Sequence, residues 1–201
     1  MSDRAHHKPV PRETAFFEEQ ESGADPALVT EAAERAATLL VRGAHDSDDA
    51  DVAERLVHLA ETEGIEAIAQ LWSHAAADSL AGCLWRLYLL RSWVYADPVG
   101  VARQFEAGRA RAPFARVVAG VADPPGPDEL RRMVDEVLRG IAAGDFADVL
   151  FRAAAFARVV AAGRASLAEV PDADVRRMLL LAEQLEAAGH VELSRGLGVT
   201  D

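Results

Sequence analysis

A chain of 201 residues, half of them hydrophobic and 27% charged, has the profile of a globular protein of one domain or two small ones. Its net charge of −12 excludes much: a nucleic-acid partner demands a basic face that displaces counterions from phosphates, and here arginines are interleaved with acids, as across Glu31–Arg35 and Arg131–Glu136. The same acidity argues against an anionic membrane surface, and the most apolar stretch, Cys83–Tyr95, is too short to span a bilayer and carries Arg86 and Arg91.

Residues 1–24 hold prolines, two histidines and many charges with little apolar periodicity, so a disordered acidic tail is expected there. The first twenty residues contain no apolar secretory segment, and a cytoplasmic location is the expectation. Phe16-Phe17 is followed by Glu18, Glu19 and Glu21. This pair reads as packing on the protein's own body, or as having no role, ahead of a docking motif for another protein. Lys8 is the single lysine against 20 arginines, a bias that a GC-rich bacterial genome explains without function.

Residues 25–201 read as one all-helical domain. Alanine, leucine, arginine and glutamate dominate, and all favour helix. Asp25-Pro26, Asp97-Pro98 and Gly126-Pro127 place proline in a first helical turn. Gly43, Gly64, Gly108, Gly144, Gly163 and Gly189 are expected as helix stops. The predicted helices run near 26–42, 49–63, 65–76, 78–96, 98–107, 114–121, 127–143, 146–162, 172–188 and 190–196. No run alternates with period two, so negligible strand is predicted.

The stretch 78–96 is the least amphipathic. At ~100° per residue, Ser79, Gly82 and Arg86 form a narrow polar strip, and a helix apolar nearly all round belongs in the centre of a fold. Arg91 falls beside Leu80, Leu84, Leu87 and Tyr95, so it is predicted to be largely buried and to pair with a carboxylate, Asp97, Asp135 and Glu136 being the candidates, or with helix-end carbonyls, as a structural ion pair ahead of a ligand site. Core packing is the default for Trp72, Trp85 and Trp93. Trp85, however, lies near Leu89 and away from the Leu80/Leu87 stripe, a position suited to a groove or subunit interface. Cys83, among leucines, reads as an inert buried thiol.

An internal repeat is suggested. Ala115-Arg-Val-Val-Ala-Gly120 recurs as Ala157-Arg-Val-Val-Ala161, and Pro127-Asp128 with Leu130-Arg-Arg-Met133 recurs as Pro171-Asp172 with Val175-Arg-Arg-Met178. Segments 115–144 and 157–189 each end in Ala-Ala-Gly. A helical pair repeating at roughly 40–47 residues has the period of HEAT-like solenoids, though alanine-rich helices also resemble one another by composition.

No catalytic signature appears. His58 shares a helical face with Glu54 and Glu61, and His74 stands near Asp78, but exposed helix faces explain both groups better than a metal site. There is no Gly-x-Ser-x-Gly elbow and no glycine-rich phosphate loop, so no cofactor or metal is expected. The reading is an all-α fold of stacked helical hairpins around helix 78–96. It would act as a non-catalytic scaffold that binds a protein partner, or itself, through a helical groove. Trp85, Arg86, Arg91, Trp93, Phe16 and Phe17 are the candidate binding residues. The alternative is a ligand-binding or enzymatic domain with a pocket beside the same helix.

Overall fold

A computed structural model describes residues 25–43, 64–111, 124–138, 145–167 and 170–197, together with Asp51, Arg55 and His58. Seven helices account for most of them, with no strand among the described residues. They are α1 (Pro26–Arg42), α2 (Ile65–Leu71), α3 (Leu80–Ala96), α4 (Pro98–Arg111), α5 (Pro127–Leu138), α6 (Phe146–Ser166) and α7 (Asp172–Leu197). The tail with Phe16 and Phe17, the predicted helix 114–121 and the Ala115–Gly120 copy of the repeat lie outside the described residues.

Local signals set the helix starts. Asp25 and Asp145 accept the amides of Ala27 and Ala147, each at 2.9 Å, and Asp97 accepts that of Gly100 at 2.9 Å. The start of α3 is capped from two directions. Ser79 Oγ accepts the Gly82 amide at 3.0 Å, while the Glu34 carboxylate of α1 accepts the amides of Leu80 and Ala81 at 3.0 Å each. Amides that an isolated helix would leave unpaired therefore tie α3 to α1. Gly43 ends α1 with φ 77°, its amide donating to Leu39. Helix α2 stops at Leu71 rather than near 76, because Trp72 turns inward, fully buried, and its indole donates to the Ala33 carbonyl at 3.2 Å.

Three glycines expected as stops are not stops. Gly108 lies within α4, Gly163 within α6 and Gly189 within α7, which runs unbroken where two helices, 172–188 and 190–196, were predicted. Each is needed for close approach. A Cβ on Gly108 would stand 1.9 Å from the Val159 carbonyl oxygen, and one on Gly163 would stand 1.8 Å from that of Gln104. The backbones of α4 and α6 therefore touch. A Cβ on Gly189 would sit 2.9 Å from the Phe151 ring.

Helix α6 is wrapped by α7 on one side and α4 on the other, and α3 packs on α5 and α1. The α6–α7 pair is an antiparallel hairpin: Arg158 pairs with Glu186, and Phe151 meets His190 edge-on. Consecutive α3 and α4 make little mutual contact, since α4 spends its apolar side on α6, where Phe105 stacks on Phe156 at 5.4 Å. Helix α6 buries 13 of its 21 residues, many of them alanines that admit close neighbours. In α3, Leu80, Leu84, Leu87, Leu90 and Val94 face one continuous core, whereas Leu89 and Tyr95 are 43% and 46% exposed. No described helix is long and apolar enough to cross a membrane.

Candidate docking face

The outward side of α3 is built by residues at helical spacing: Trp85, Tyr88, Leu89, Ser92 and Ala96. Trp85 and Tyr88 stack, ring centres 5.5 Å apart, and both are half-buried against the core from below. Leu89 stands out between them and the next turn. An amphipathic surface helix turns polar residues outward; this one turns out Leu89, 43% exposed, beside two half-buried aromatics.

The two flanks of this face differ in charge. On one, Arg91 pairs with Asp135 of α5, and Tyr95 donates its hydroxyl to the other oxygen of that carboxylate at 2.8 Å. Arg91 and Arg131 both lie on the Tyr95 ring, at 4.5 and 4.8 Å from its centre, and Arg131 pairs in turn with Asp128. Arginines and aspartates balance, and the Asp135 hydrogen bond, with some desolvation, pushes the Tyr95 phenol above its ordinary value. Of the partners foreseen for Arg91, Asp135 is the one found, and both side chains are largely shielded, at 14% and 17% exposure.

The other flank carries guanidiniums held by neutral groups. Arg86 donates Nε to Gln184 of α7 at 2.7 Å and Nη1 to its own Gly82 carbonyl at 2.8 Å. Arg164, at the end of α6, lies over the Trp93 ring at 4.5 Å and donates Nε to Gln104 at 2.8 Å. Among the described residues neither has a carboxylate in ion-pair contact, whereas Arg158 faces Glu186 and Arg152 faces Glu129. Desolvation draws Arg164 below its ordinary pKa, with Asp174 pulling the other way.

The structure thus brings Trp85, Arg86, Arg91 and Trp93 to one helix and its two borders. Tyr88, Gln104, Gln184 and Arg164 complete the surface and were missed in the sequence; Tyr88 alone carried a signal, three residues from Trp85. Phe16 and Phe17 lie outside the described residues.

Among the described residues the reactive side chains stand apart from one another. Cys83 is buried, and burial pushes its thiol up to about 11, so it stays protonated at neutral pH. His74 shares a 2.9 Å contact with Ser73 on the surface, and His58 is exposed. No group of three or more potential metal ligands occurs among the described residues. A half-open depression of about 150 Å³ lies beside the start of α3, lined by Ala77, Asp78, Gln184, Ala187, Ala188 and Val191. It is below the ~300 Å³ at which small-molecule sites begin, and it offers one carboxylate and one amide.

No family model, curated protein or solved structure matches the chain.

Proposed function

We propose that this chain is a non-catalytic interaction protein, a scaffold or adaptor of the cytoplasm, that binds another protein through the outward face of α3. One observation carries the reading: Leu89 stands 43% exposed beside the stacked, half-buried Trp85 and Tyr88, an apolar group on the outward side of α3. Aromatic residues rimmed by arginines are enriched where proteins meet, and a rigid helix presents them at low entropic cost. A ligand-binding or enzymatic domain is the weaker alternative, because the depression beside α3 is small and its lining almost wholly apolar.

The finer architecture, helical hairpins stacked as a repeat, belongs to the same proposal. Met133 and Met178 stand at corresponding positions and both are buried, which supports it.

Photo-crosslinking tests the docking face. A photoreactive residue at position 89 should give discrete adducts in the cells that make the protein, and a Trp85→Ala substitution should remove them. The same residue at exposed Glu183 of α7 should give none. Equal labelling from both positions, or adducts indifferent to Trp85, would remove the basis for the reading.

A further inference from the structure

We infer that the partner segment seated on α3 is acidic as well as apolar: a leucine- or aromatic-bearing stretch that sets carboxylates against Arg86 and Arg164. The inference rests on the docking face proposed above. Its own support is the asymmetry of charge across that face. On the Arg91 side, Asp135 and Asp128 neutralise both arginines. On the opposite side, Arg86 and Arg164 are oriented by Gln184 and Gln104, amides that accept one N–H each and add no negative charge.

A glutamine in that place orients a guanidinium without satisfying it. Arg86 keeps Nη2, and Arg164 keeps both terminal nitrogens, without an acceptor among the described residues. A guanidinium presents a planar fork of donors that matches a carboxylate. Both are already held, Arg86 by Gln184 and the Gly82 carbonyl and Arg164 by Gln104 and the Trp93 ring at 4.5 Å, so little side-chain freedom remains to be lost on binding. Trp93 and Arg86 stand seven residues apart on α3, a rise of ~10 Å. Two acidic side chains about two turns apart on a docked helix would span that distance, with an apolar residue between them covering Leu89 and one beyond the Arg86 end covering Trp85. Asp174, the carboxylate acting on Arg164, is itself engaged by Arg177.

A basic partner is the contrary case that the net charge of −12 alone suggests. Over distances beyond the Debye length of ~8 Å, that bulk charge is screened at physiological salt. The groups in contact decide, and at this rim the carboxylates are engaged elsewhere, Glu34 by the amides of Leu80 and Ala81, Glu192 by Arg42 and Arg195, and Asp174 by Arg177.

The test is selection of a random displayed peptide library on the full-length protein, with counter-selection on Leu89→Asp. Sequences that combine leucine or aromatic residues with Asp or Glu are expected. A selected peptide should lose about tenfold in affinity on Arg86→Gln, and similarly on Arg164→Gln, as charge-assisted hydrogen bonds are lost, and binding should weaken with salt. Leu89-dependent sequences that are neutral or basic, or that bind both glutamine variants unchanged, would overturn the acidic assignment and leave the docking face standing. Recovery of no Leu89-dependent sequence would overturn the docking face itself.

Discussion

Arg91 and Arg164 are both partly shielded guanidiniums next to aromatic rings, and their partners give them different work. Arg91 meets Asp135, and each holds the other's charge away from bulk water. Removing either leaves a half-buried charge, so Arg91→Ala and Asp135→Ala should each cost about 1–3 kcal/mol in denaturant unfolding, below the ~3–5 of a fully buried pair. The double variant should cost less than the two together; strict additivity would mean no coupling. Tyr95 reports the same contact. Its hydrogen bond to Asp135 makes the folded chain hold the phenol proton more tightly than the unfolded chain does. Stability from this contact is therefore present below the ordinary value of 10.0 and lost as pH rises past it. With Tyr88→Phe leaving Tyr95 as the only tyrosine, phenolate absorbance should show a midpoint above 10.0, and Asp135→Asn should bring it down. A midpoint at or below 10.0 would disprove the contact. Arg91 was legible because projection placed a charge among leucines, which demands a partner. Arg164 was not: Trp93 and Gln104 are brought to it from other helices, and no local pattern announces that.

Helices as units were read well where their ends carry side-chain chemistry, as at Asp25 and Asp97, and poorly where glycine was the only cue. Gly43, with its positive φ, is a stop, whereas Gly108 and Gly163 serve the crossing of α4 on α6. The letter is the same, and the difference lies in a neighbouring helix far along the chain. The cap on α3 from Glu34 leaves no local pattern for the same reason. Alanine at Gly108 or Gly163 should test the crossing. Helix propensity alone favours alanine by ~1 kcal/mol, yet each substitution should destabilise by about 1–3 kcal/mol, because carbonyl backbone must move away. Gly126, with nothing within 4 Å of a Cβ, is the control, and Gly126→Ala should change stability by no more than about 0.5 kcal/mol. Stabilisation by Gly108→Ala would mean the helices do not touch.

For the whole molecule, composition and periodicity sufficed for an all-helical chain without strands among the described residues. Arrangement needed more. A helix apolar nearly all round was expected at the centre, but α6 is the more enclosed element, and α3 leaves Leu89 and Tyr95 in solvent. Periodicity cannot separate an apolar side that meets core from one awaiting a partner, since both use the same residues; the Trp85–Leu89 side, set apart from the Leu80/Leu87 stripe, was the one hint. That distinction is the centre of the functional proposal, and Leu89→Asp addresses it most directly: binding of a library-selected peptide is measured alongside the unfolding midpoint of the same sample. If the outward side of α3 is a docking face, stability should change by no more than about 0.5 kcal/mol while affinity falls at least about tenfold, ~1.4 kcal/mol. A loss of stability of several kcal/mol would make Leu89 part of the core, and unchanged affinity would place the binding surface elsewhere.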